Sequence, residues 1–127
     1  MSYDFNAHDI LEMAEQIERN GAVFYRRAAA DIKDPDAKNF LGDLAAMEDN
    51  HEKTFATMRK KLNEAEKAAT VFDPQGEAAS YLKALADTRI FFEKEIDTTS
   101  MQAILKAAIL AEKDSIVFYL GMKDLVH

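Results

Sequence analysis

The sequence predicts an all-α helix bundle in which three long helices are joined by one tight turn and one long crossover. Apolar residues recur at alternating spacings of three and four through three long stretches, which is the pattern of a helix with one buried face. Helix-start signals stand at Asp34-Pro35 and at Thr99-Ser100. Between the second and third stretches, Pro74 and Gly76 interrupt the helical pattern.

The first helix is predicted to begin after Asn6, a good N-cap, and to end at Lys33. Gly21 is costly inside a helix, by up to about 1 kcal/mol relative to alanine, so it indicates close approach of a neighbouring helix or a ligand. The apolar row of this helix contains one glutamate: Leu11, Ala14, Glu18, Gly21, Tyr25, Ala28 and Ile32.

The second helix is predicted from Pro35 to about Ala69, antiparallel to the first because the link is short. Its row contains Glu48-x-x-His51, which places a carboxylate and an imidazole one turn apart on the same face. We expect both side chains to be buried, at a cost of several kcal/mol for the carboxylate unless its charge is compensated. The full row is Leu41, Leu44, Glu48, His51, Phe55, Met58 and Leu62.

Residues 71–99 are predicted to form the crossover, with a short helix over 77–88. A crossover of this length lets the second and third helices run parallel. The third helix is predicted to run from Thr99-Ser100 to about Val126, and its row again contains a glutamate: Met101, Leu105, Ala108, Glu112, Ser115, Tyr119, Met122 and Val126.

The first and third helices contain an internal repeat. Glu18 to Tyr25 and Glu112 to Tyr119 both read Glu-x6-Tyr, with Val-Phe directly before the tyrosine. The repeat predicts a pseudo-twofold bundle in which these two helices are equivalent. A fourth helix, equivalent to the second, is then expected to contain another Glu-x-x-His.

The three row glutamates and His51 predict a metal site. Carboxylates that converge without a cation repel one another, and a pair of metal ions resolves this. Bundles that hold two metals use one Glu from each of two helices, here Glu18 and Glu112, and a Glu-x-x-His from each of the others, here Glu48 with His51. Carboxylate and imidazole suit iron, with manganese or zinc as alternatives. Tyr25 and Tyr119 are placed to hydrogen-bond the ligand carboxylates.

Simpler readings of these residues stay open. The glutamates are also typical of a solvated bundle rim, and the tyrosines are equally typical of a core in which the hydroxyl finds a partner.

Composition narrows the function classes. The 127 residues suit one domain, and a net charge of −7 without a basic run argues against nucleic acid binding. The chain has no cysteine, which excludes disulfides, thiolate catalysis and a rubredoxin-type iron site within these residues. Neither a signal peptide nor a membrane-length apolar run is present, so we expect a cytoplasmic protein that binds no membrane.

These motifs resemble the ferritin-like superfamily and, within it, the rubrerythrin-like di-iron carboxylate proteins, over nearly the whole chain. The resemblance implies a ferritin-like four-helix bundle with a non-haem di-iron site held by Glu18, Glu48, His51 and Glu112. It also implies an oxidoreductase that reacts Fe(II) with peroxide or dioxygen, as a peroxidase or ferroxidase. A homodimer or higher homo-oligomer and an external electron donor are the expected partners.

The sequence departs from the family pattern in two places. Ser115 stands where rubrerythrin has an additional glutamate, and the chain stops at His127 without a second Glu-x-x-His. We therefore expect residues 1–127 to be a single domain that is incomplete at its C-terminus, with the fourth helix missing or supplied by a partner. The alternative functions are a non-catalytic iron-binding or storage-related module and a structural bundle without metal.

Overall fold

A computed structural model describes residues 3–5, 7–63, 71–73 and 97–125. It contains three long helices, α1 (Ala7–Asp31), α2 (Pro35–Lys60) and α3 (Met101–Leu125), which confirms the predicted all-α bundle. Two three-residue strands that the sequence did not predict, β1 (Tyr3–Phe5) and β2 (Val71–Asp73), pair antiparallel with Tyr3 opposite Asp73. The predicted short helix over 77–88 lies outside the described residues.

Helices α1 and α2 form an antiparallel hairpin. Asp34 caps α2, because its Oδ2 accepts a hydrogen bond from the backbone N–H of Ala37 at 2.9 Å. Three arginine–carboxylate ion pairs then join the two helices along their length: Arg19 with Glu52, Arg26 with Asp49, and Arg59 with Glu15. Because lower numbers on α1 meet higher numbers on α2, these pairs fix the relative register of the helices.

The prediction that α2 extends to about Ala69 is wrong, since the helix ends at Lys60. The backbone N–H of Lys61 contacts both the Thr57 and the Met58 carbonyl oxygens at 3.2 Å, and this shared bond tightens the last turn. Asn63 lies just beyond the helix, and asparagine is a weak helix former because its side chain can bond to nearby backbone groups.

Helix α3 begins after Ser100, whose Oγ accepts a hydrogen bond from the N–H of Ala103 at 3.2 Å. Just before it, the Thr98 hydroxyl donates to Asp31 Oδ2 at 2.7 Å, joining the start of α3 to the end of α1. The core lies where the three helices meet, and its largest fully buried side chains are Ile17, Leu41, Ile104 and Phe118. None of the described helices is both long enough and apolar enough to cross a membrane.

One side of α3 is apolar and exposed. Leu105, predicted in the buried row, is 37% exposed, and Ile104 next to it is fully buried instead. The reason is that α3 meets the core with the face bearing Ile104, Ala108, Ala111 and Phe118. This face is rotated slightly from the predicted row, in both halves of the helix. Among the α3 side chains that the structure describes, the other large apolar ones that are exposed are Ile109, Leu110, Ile116, Val117 and Leu120.

Candidate metal centre

Helices α1 and α2 bring Glu18, Glu48 and His51 together. Each offers one ligand atom, and these atoms all lie within 4.8 Å of one another. The Glu18 and Glu48 side chains are buried, whereas the ring of His51 is 52% exposed. The expectation that His51 is buried is therefore wrong. About half of its side chain is open to solvent, although Nδ1 approaches Glu18 Oε2 on α1 at 3.4 Å.

The two tyrosines of the repeat cross-link α1 and α3 reciprocally. The hydroxyl of Tyr25 on α1 donates to Glu112 Oε1 on α3 at 3.0 Å. The hydroxyl of Tyr119 on α3 donates to Glu18 Oε1 on α1, also at 3.0 Å. Each repeat unit thus orients the glutamate of the other, and the two bonds express the pseudo-twofold relation seen in the sequence.

Aromatic neighbours hold both tyrosine rings in place. Tyr25 meets Phe24 edge to face at a centroid distance of 5.3 Å, and Tyr119 meets Phe118 in the same way at 5.3 Å. Tyr119 also stacks on Phe55 of α2 at 5.9 Å. Burial raises the pKa of both phenols, and the nearby carboxylates raise it further, so both hydroxyls stay protonated and act as donors.

The carboxyl group of Glu48 has a strongly raised pKa. Burial, followed by hydrogen bonding and charge repulsion from Glu18 and then Glu112, raises the pKa of the Glu48 carboxyl well above its usual range. Without a cation, the raised pKa favours the protonated form of Glu48, which can hydrogen-bond to Glu18 and Glu112. A metal ion placed among the three carboxylates would remove the reason for this protonation.

Glu112 lies at the edge of the site. Its side chain is exposed in the described chain, which contradicts its position in the predicted buried row. It stands on the same uncovered side of α3 as Ile116. It still belongs to the group, because its carboxylate accepts from Tyr25 and interacts with Glu48.

A cavity of about 380 Å³ adjoins these groups. Besides the carboxylates, His51 and the tyrosines, its wall includes four residues: Leu44, Met47, Ser115 and Ile116. Sequence reasoning did not assign Met47 or Ile116 to the site, although their spacing from His51 and from Glu112 along each helix could have indicated it. These side chains form an apolar part of the wall beside the carboxylates, and the His51 side stays open to solvent.

Another buried carboxylate on α1 belongs to Glu15. The residue is 6% exposed, and its carboxylate pairs with Arg59 Nε at 2.6 Å. The pair lies outside the candidate metal centre.

Comparison with known proteins agrees with this arrangement of helices and side chains. The Rubrerythrin family profile matches residues 9–126. The chain therefore belongs to the rubrerythrin family, and its fold is an all-α ferritin-like bundle. Family membership implies a di-iron carboxylate domain. No curated protein and no solved structure matches the chain.

Proposed function

We propose that this protein is a non-haem di-iron oxidoreductase that reacts Fe(II) with peroxide or dioxygen. The observation that carries the proposal is the convergence of Glu18, Glu48 and His51 within 4.8 Å, with Glu112 beside Glu48. Two buried carboxylates in contact are unfavourable alone, and they become favourable around a cation. The donor set of carboxylate oxygen and imidazole nitrogen fits iron.

In this proposal, Glu18, Glu48, His51 and Glu112 would hold the metal, with the Glu48 and Glu112 carboxylates shared by the site as a whole. When bound, the iron supplies electrons to the oxidant. Tyr25 and Tyr119 keep the Glu112 and Glu18 carboxylates aimed inward through their hydrogen bonds. Leu44, Met47 and Ile116 form an apolar part of the wall around the site.

The remaining ligands of a second ion are proposed to come from a fourth helix equivalent to α2. The pseudo-twofold relation supports this, since α1 and α3 exchange equivalent tyrosine–glutamate bonds while α2 lacks an equivalent among the described helices. The exposed apolar side chains Ile109, Ile116 and Leu120 offer a surface for such a helix. We further propose that the protein acts in the cytoplasm as a homo-oligomer with an external electron donor.

Metal analysis and a rapid-mixing experiment test the function. Protein purified without chelator should contain iron. After anaerobic Fe(II) loading, mixing with peroxide should produce the near-ultraviolet absorption of ferric carboxylate. Replacing the buried Glu48 with Ala should abolish metal binding, whereas Asp43→Ala at an exposed position of the same helix should not.

Each contrary outcome favours a named alternative. Metal binding without turnover would indicate an iron-binding or storage-related module. Ser115 favours this alternative, because rubrerythrin has an additional glutamate at that position. Absence of metal would indicate a structural bundle. Two irons retained by Glu48→Ala would refute the proposed ligand set.

A further inference from the structure

Gly21 on α1 faces the side chain of Glu48 on α2 with no space between them. A Cβ atom added at Gly21 would lie 2.9 Å from Glu48 Cδ, 3.1 Å from Oε2 and 3.2 Å from Cγ. Real Cβ atoms essentially never approach another heavy atom within 3.0 Å. The Glu48 carboxylate therefore occupies the volume that any side chain at position 21 would need.

The position of α3 that corresponds to Gly21 in the repeat has a side chain. Ser115 is the equivalent of Gly21 on α3, and its side chain is accommodated with 6% exposure. Its hydroxyl donates to the Ala111 carbonyl oxygen of its own helix at 3.1 Å. The difference between the two positions is that Glu48 lies against α1 at Gly21.

We propose that Gly21 is a positioning residue for the metal centre: its bare backbone lets the Glu48 carboxylate lie within reach of both Glu18 and Glu112. A side chain at position 21 displaces that carboxylate from the donor cluster and weakens metal binding. This inference rests on the proposed function, because it concerns the same site.

The displacement leaves the helices intact. The atoms that a methyl group at position 21 would meet belong to the outer part of a flexible side chain, which moves by changing rotamer without moving backbone. Alanine is also a better helix former than glycine. We therefore expect alanine at position 21 to weaken metal binding without lowering the stability of the fold. If Gly21 had a purely structural role, the stability would fall as well.

Gly21→Ala and Gly42→Ala form a matched pair of variants. Gly42 lies inside α2, and a Cβ added there meets nothing within 4 Å. Gly42→Ala should raise the melting temperature of the metal-free protein by a few degrees and keep the affinity for Mn(II) unchanged. Gly21→Ala should weaken Mn(II) binding at least tenfold without lowering the melting temperature of the metal-free protein. Equal affinity of the two variants would overturn the inference.

A double-variant cycle with Glu48→Asp tests the mechanism. Aspartate is one methylene shorter and withdraws the carboxylate from position 21. If Gly21 acts through Glu48, then Gly21→Ala should change Mn(II) affinity much less in the Glu48→Asp background than in the wild type. Equal effects of Gly21→Ala in both backgrounds would contradict the mechanism.

A crystal structure of metal-free Gly21→Ala separates this inference from the proposed function. Movement of Glu48 Cδ away from α1 supports the positioning role, and an unmoved Glu48 overturns it. Failure of the wild type to bind metal would instead refute the proposed function, while the crystal structure would still decide the role of Gly21.

Discussion

Replacing Glu48 with glutamine should stabilise the metal-free protein at neutral pH. Glu48 is 7% exposed and lies beside Glu18 and Glu112, and burial and these neighbours raise the pKa of its carboxyl. The folded state therefore retains a proton that the unfolded state releases above its ordinary pKa of about 4.3. The stability contributed by protonated Glu48 is fully present below that value and is lost as the pH rises towards the folded-state pKa.

The size of the effect follows from proton linkage. When the folded state retains one proton more than the unfolded state, each rise of one pH unit lowers the free energy of unfolding by about 1.4 kcal/mol. Between pH 5 and 8, the free energy of unfolding can therefore fall by at most about 4 kcal/mol. The open side of the site at His51 admits water and reduces this value. We expect the wild type to lose about 1–3 kcal/mol over this interval relative to Glu48→Gln, because glutamine does not ionise.

Urea unfolding followed by circular dichroism, with chelator at pH 5 and 8, measures this difference. Asp43→Asn removes an exposed carboxylate from the same helix and should keep the pH dependence of the wild type. If Glu48→Gln and the wild type lose the same free energy of unfolding between the two pH values, the assignment of a protonated Glu48 is refuted.

Three other outcomes are expected. Tyr25→Phe and Tyr119→Phe should each weaken Mn(II) binding by about tenfold and to similar extents, because the two hydrogen bonds are equivalent; calorimetric titration would expose any inequality. Mn(II) binding should release a proton and strengthen with rising pH, because Glu48 must ionise to bind; titration in buffers of different ionisation enthalpy counts the proton. Leu41→Ala should lower the free energy of unfolding by about 2–5 kcal/mol in urea. Phe40→Ala, at a half-exposed neighbouring position, should lower it much less.

Local sequence signals predicted the starts of the helices well. Asp34-Pro35 and Ser100 act through hydrogen bonds within their own turns, so the sequence nearby contains the necessary information. The end of α2 at Lys60 was missed because the apolar spacing continues to Leu62, beyond the last helical turn.

Burial was predicted less well, because it depends on which helices cover each face. His51 follows the apolar spacing of α2 yet is exposed, since spacing shows that two residues share a face without showing what packs on it. The burial of Glu15 likewise depends on a neighbouring helix. Its burial requires Arg59 to reach across from α2, and this contact between distant positions leaves no local signal.

The repeat was informative about the site because it relates distant segments directly. Matching Glu18 and Tyr25 with Glu112 and Tyr119 indicated equivalent helices, and the structure places the two tyrosine–glutamate bonds between them. The sequence could not supply the contact between Gly21 and Glu48, which depends on the relative register of α1 and α2.

The reciprocal tyrosine–glutamate bonds also have a consequence for how the chain selects its native alignment. Each bond joins the glutamate that begins one repeat unit to the tyrosine that ends the other. Sliding α3 along α1 by one turn, about 5.4 Å, would break both bonds at once and leave four polar groups without these partners. An alignment of α3 that is shifted by one turn thus gains neither hydrogen bond. The two tyrosine–glutamate bonds therefore favour the native alignment over the shifted ones during folding.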